Sequence, residues 1–140
     1  MDIVSIIIRL VLAVVLGMVI GWEREHKGRS AGLRTHVIVC LGSALISLIA
    51  LHLYDMDPGI NPSRIIASVV TGIGFIGAGA IIRSQEGTRG LTTAASIWIS
   101  AGIGLAVGMG FYTGALIVVG LVMVVLIFFK KIEHYFLEGS

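Results

Sequence analysis

Three groups of residues in this sequence have the types and spacing for chemistry. Gly72, Gly74 and Gly77, within TGIGFIGAGAII, spell G-x-G-x-x-G, the letters with which a strand-to-helix turn cradles a pyrophosphate on backbone amides. His36 and Cys40 stand one helical turn apart, and both side chains can ligate zinc. The last group is charged. GWEREHKGRSAGLRT holds Glu23, Arg24, Glu25 and Arg34, and IIRSQEGTRGLTTAASIW holds Arg83, Glu86 and Arg89. Opposite charges brought together could pair, clamp helix ends or hold an ion. The elements that carry these residues decide what each group can do.

Those elements are apolar. Of the 140 residues 56% are hydrophobic and 13% charged, with a mean hydropathy of +1.02. Soluble domains carry about 25% charged residues, so a water-facing globule would lack polar surface. Five apolar runs, 3–22, 36–53, 65–82, 91–107 and 111–129, have the length of spanning helices, about 17–25 residues. The connector DMDPGINPSR holds both prolines and must turn; GMG at 108–110 makes a tight hairpin. The expectation is an all-α integral membrane protein, a bundle of five transmembrane helices forming one domain over 1–140.

Eight of the ten Lys and Arg residues, Arg24, Lys27, Arg29, Arg34, Arg83, Arg89, Lys130 and Lys131, fall on one side of that arrangement. The positive-inside rule makes that side cytoplasmic, with the N-terminus out and the C-terminus in. The first run has Asp2 before it and its cations after it, the reverse of a cleaved signal peptide. It is read as a retained helix.

In this setting the nucleotide reading fails. The glycines lie inside a run too long for an ordinary strand, and the next acid, Glu86, comes too soon for the ribose contact. Gly72, Gly74, Gly77 and Gly79 read instead as a flat surface for close helix packing. A broken helix lining a polar cavity is the alternative. Gly17 and Gly21, with Ala13, and Gly104 with Gly108 repeat every four residues and suggest the same packing; Gly110 and Gly114 do so at the last hairpin. Arg9, on the stripe of Ala13, Gly17 and Gly21, is the one full charge well inside a run. It is expected to snorkel or make a structural hydrogen bond, with a buried functional charge as the alternative.

A single cysteine excludes an internal disulfide framework. His36 and Cys40 alone do not close a zinc site, and His26, His52 and His134 lie in other segments, so no metal or cofactor is expected. Thr35, and Thr92 with Thr93, are expected to cap the second and fourth helices. Glu23 at the end of a helix opposes the helix dipole, and Arg34 or Arg83 is the expected holder of its charge.

GWERE (residues 21–25), AGLRT (31–35), GIGFIGAGAIIR (72–83) and GLTTAASIW (90–98) together resemble the membrane domain of the MgtC/SapB family, in order and over nearly the whole chain. The resemblance implies a five-helix bacterial inner-membrane protein linked to magnesium limitation, acid stress and survival inside host cells. It implies a regulator of other membrane proteins, among them the proton-driven ATP synthase, rather than an enzyme. Longer members continue into a soluble C-terminal domain, whereas this sequence ends at Ser140.

Three function classes follow. One is a regulator acting through helix contacts with itself, as a homo-oligomer, and with a partner. Another is a small transporter or channel for magnesium or another cation. The last is a lipid-organising bundle with its basic connectors on anionic lipid. No acid lies deep in an apolar run, although magnesium sites use oxygen ligands, usually including carboxylates. No nucleophile with its base can be picked out, so catalysis is not expected, nor is nucleic acid a partner.

Overall fold

A computed structural model describes residues 2–84 and 87–129, with Arg83, Ser84 and Phe129 described in the backbone alone. Glu86, Lys130, Lys131 and His134 lie outside the described residues. The element order is α1 (Ile3–His26), α2 (Leu33–Met56), α3 (Pro62–Gly79), a hairpin of β1 (Ile82–Ser84) and β2 (Gly87–Arg89), α4 (Leu91–Gly108) and α5 (Tyr112–Val124), which continues as a π-helical turn, Val125–Phe129. By length and composition α1 to α4 can each cross a membrane, and α5 with its π turn is a shorter apolar helix.

Helix boundaries depart from the apolar runs where polar residues continue a helix. Asp2 starts α1 by accepting from Ser5 N at 3.2 Å. The helix runs past Trp22 through the polar EREH segment to His26, and Gly28, at φ 61, makes the turn. α2 begins at Leu33 with Gly32 as its N-cap, and α4 begins at Leu91 with Gly90 as its cap. Thr35, Thr92 and Thr93 therefore lie inside helices rather than capping them. Asn61 caps α3 through Ser63 N, and Pro62 sits in its first turn, where its missing N–H costs nothing. α3 stops at Gly79, before the end of its apolar run, because Ile82 pairs with Arg89 in the antiparallel hairpin.

α4 touches each of the other four helices. Its small residues make that possible. The larger core joins Ala13, Leu16 and Ile20 of α1, Cys40 and Ala44 of α2, Ile103 and Val107 of α4, and Ala115 and Val119 of α5. A smaller one joins Ala31, Ile73, Ile97 and Ala101. Between α4 and α5 lies an apolar groove of about 390 Å³, lined by Trp98, Ile99, Val118, Leu121 and Val122 among others.

The glycines divide into two sets. A Cβ at Gly17 would lie 2.9 Å from His36 O, and one at Gly21 would lie 2.7 Å from Leu33 Cα. At Gly104 it would run into Cys40 O, and at Gly108 it would come within 2.5 Å of Ala44 O. In these places backbone meets backbone. Gly77 makes only ordinary contact, 3.7 Å from Ala94 O. Gly72, Gly74 and Gly79 have nothing within 4 Å, so the packing role expected for them is not found among the described residues. The reason is geometric. α3 lies at the edge of the bundle and turns Ile73 and Gly77 inward, which points Gly72, Gly74 and Gly79 along its flanks and away.

A candidate polar clamp at three helix ends

The C-terminal end of α1 and the N-terminal ends of α2 and α4 meet around a group of buried polar side chains. Glu23 is 7% exposed, Arg24 4%, Thr93 4%, Ser96 3% and His36 0%. Each is placed by its helix. Continuing α1 past Trp22 turns Glu23 and Arg24 inward, and starting α2 at Leu33 puts His36 in its first turn. Thr93, Ser96 and Ser100 recur at i, i+3 and i+7 of α4, so one face of that helix carries all three hydroxyls.

The bonds run between helices. Arg24 Nη2 donates to Thr93 Oγ1 at 3.1 Å, tying α1 to α4. His36 lies with Nε2 2.9 Å from Ser96 Oγ, tying α2 to α4, and with Nδ1 2.8 Å from Gly32 O. Ser96 Oγ donates to Thr93 O at 2.8 Å and Ser100 Oγ to Ser96 O at 2.9 Å. Glu25 Oε2 accepts from Leu33 N at 2.7 Å, so a residue of α1 satisfies one of the open amides that begin α2. One level deeper, Ser47 Oγ donates to Leu105 O at 3.2 Å, joining α2 to α4 again.

Glu23 is held by its own neighbour. Its Oε2 lies 3.8 Å from Arg24 Nη1, whereas Arg34 is exposed. The expectation that Arg34 holds Glu23 is thus corrected. Arg24 can reach inward because it points at α4, while Arg34, on the first turn of α2, points out. The side chain of Arg83 lies outside the described residues, as does Glu86, and Arg89 is exposed on β2. The seven charged residues grouped from the sequence therefore separate: Glu23 and Arg24 are buried, Glu25 caps a helix, and Arg34 and Arg89 face outward. Among the described residues Glu23 Oε2 and Arg24 Nε have no hydrogen-bond partner. Buried polar atoms of this kind are commonly met by an internal water.

Sequence reasoning placed the acids and arginines at this end but left out His36, Thr93 and Ser96 as their partners. The available signal was the hydroxyl spacing on α4. Both ring nitrogens of His36 are engaged in hydrogen bonds, and Cys40 is buried in the larger core. No group of three or more His, Cys, Asp or Glu side chains able to hold a metal ion occurs among the described residues.

At the opposite end Arg9 makes a structural hydrogen bond. Its Nη1 donates to Gly108 O at 2.6 Å and its Nε to Tyr112 Oη at 3.1 Å. A cation at the C-terminal end of α4 also complements the helix dipole. Of the alternatives raised for Arg9, the structure gives the structural bond.

Comparison with known proteins adds three relatives and a family. The MgtC family pattern matches residues 10–135. The chain is 47% identical to YhiD of Escherichia coli (strain K12) over 111 residues, covering 76% of this chain and 52% of that protein. It is 38% identical to SapB of Bacillus subtilis (strain 168) over 117 residues, covering 79% and 50%. It is 46% identical to MgtC of Salmonella typhimurium (strain LT2) over 99 residues, covering 71% and 41%. The chain thus spans about half the length of the curated relatives it matches. No solved structure matches it.

Proposed function

The chain belongs to the MgtC family, a family of multi-pass bacterial inner-membrane proteins, and from that premise we propose that it is a regulatory membrane protein rather than an enzyme, acting by helix contacts with a second copy and with other membrane proteins. The outward face of α3 carries this reading. Along it Ala67, Ser68, Thr71, Gly72, Gly74, Ala78 and Gly79 are exposed, with Phe75 86% exposed among them. Small residues let another backbone approach closely within the bilayer, and an aromatic side chain standing among them can enter the surface it meets. The polar clamp supports the same reading, because it holds α1, α2 and α4 as a fixed base from which α3 presents this face. The resemblance to MgtC/SapB proteins supplies the setting: magnesium limitation, acid stress and life inside host cells, with the proton-driven ATP synthase as one candidate partner.

Cross-linking tests the proposal. In a Cys40→Ala background, cysteines at Gly74 and at Val11 would each be treated in membranes with a bifunctional thiol reagent. Val11, on α1, is 56% exposed and serves as the lipid-facing control. Adducts from Gly74 and none from Val11 are expected; equal yields would end the α3 reading.

Cation transport is the second reading, and Glu23 favours it. No acid lies deep in a span, but at the end of α1 Glu23 is a buried carboxylate with one oxygen lacking a hydrogen-bond partner among the described residues, the donor type that magnesium takes. YhiD carries a name that proposes a magnesium transporter. Against this, Arg24 stands 3.8 Å from that oxygen and repels a second cation. Regulation remains the better reading.

A further inference from the structure

The partners of the His36 ring limit how its hydrogens can be arranged. Gly32 O is a carbonyl and only accepts, so its 2.8 Å contact requires hydrogen on Nδ1. Ser96 Oγ stands 2.9 Å from Nε2 and 2.8 Å from Thr93 O, which also only accepts. Ser96 has one hydrogen to give. If it goes to Thr93 O, Nε2 must carry its own hydrogen and the ring is an imidazolium. If the ring is neutral, Ser96 must turn that hydrogen to Nε2 and Thr93 O loses it.

We propose that His36 is a proton-binding site, in which proton uptake at Nε2 sends the Ser96 hydroxyl to Thr93 O and proton release draws the hydroxyl back to Nε2. The proton comes from water and returns to it; the only covalent bond made or broken is N–H, and Ser96 merely rotates. This inference stands apart from the contacts proposed for α3 and holds whether or not the chain acts on a partner.

The surroundings give the site its field and its reach. The ring is fully buried. The charged groups facing it come from α1: the Glu23 carboxylate and the Arg24 guanidinium. α4 has no ionisable side chain, α3 has Arg64 alone and α5 has Tyr112 alone. On α2 the nearest in sequence are Arg34, which is exposed, and Cys40, which is in the core. Thr93 receives the Ser96 hydrogen on its carbonyl and the Arg24 hydrogen on its hydroxyl. Protonation on α2 thereby reaches the α1–α4 contact through one residue.

Nitrogen NMR of the histidine rings, on the full chain in detergent micelles, tests this. His36→Gln identifies the signal by its loss. At high pH His36 should be neutral with hydrogen on Nδ1, and acidification should protonate Nε2. Ser96→Ala should lower the midpoint by about one pH unit, because the imidazolium loses a charge-assisted bond stronger than the one the neutral ring loses. Ser96→Thr keeps the hydroxyl and should restore the midpoint. Hydrogen on Nε2 in the neutral ring, no titration while the protein remains folded, or an unmoved midpoint in Ser96→Ala would each overturn the proposal. Should Ser96→Ala fail to fold, the position of hydrogen in the neutral ring of the parent decides.

Discussion

α3 carries Gly72, Gly74, Gly77 and Gly79, and α4 carries Gly102, Gly104 and Gly108, yet the two helices use them differently. On α4, Gly104 and Gly108 lie against the backbone of α2 at Cys40 and Ala44, closer than any side chain would allow. Of the α3 glycines, only Gly77 meets another helix among the described residues, and it does so at an ordinary distance. Glycine density marks a surface that can be approached; it does not say whether the approach happens within the chain. What differs is position. α4 is central and touches each of the other four helices, whereas among the described residues α3 buries only the side of Ile73 and Gly77.

Thermal unfolding in mild detergent can break or sharpen this contrast. The largest effect is expected from Gly104→Leu, where even a Cβ overlaps Cys40 O. Overpacking costs about 1–3 kcal/mol and sometimes more, and a clash with backbone belongs at the upper end, so little folded protein should be recovered. Gly21→Ala should be next. Its Cβ would lie 2.7 Å from Leu33 Cα, and forcing α1 from α2 should lower stability by about 1–3 kcal/mol. The smallest change is expected from Gly74→Ala. With open space at that position, alanine should be neutral or stabilising by up to about 1 kcal/mol through helix propensity. If Gly74→Ala instead destabilises like Gly21→Ala, the face of α3 is already covered by another molecule in the micelle, and the contrast between the helices disappears.

Much of the fold was legible because apolar run length and connector chemistry report bilayer crossings directly. Helix ends were harder to read. Hydropathy stops at Trp22, but hydrogen bonding continues α1 to His26, and that extra turn carries Glu23 and Arg24 into the interior. The charged group was visible as a group, since acids beside cations are unusual at a membrane flank. Its pairing was not, because inward or outward direction depends on helix phase. One turn of α1 decides that Arg24 rather than Arg34 faces α4. The sequence shows His36 as a helix-packing residue rather than a zinc ligand and hides its hydrogen bond, because its partner Ser96 lies on another helix, 60 residues away in sequence.

Arg9 binds the carbonyl of Gly108 and the hydroxyl of Tyr112, and this has a consequence for the order of biosynthesis. The first helix emerges from the ribosome long before either acceptor has been made. Through the synthesis of about a hundred residues its guanidinium must therefore rely on lipid headgroups or water, which it can reach near the end of α1. The bond forms only once the hairpin between α4 and α5 enters the membrane. Arg9 thus works as a late fastener, joining the oldest segment of the nascent chain to one of the youngest.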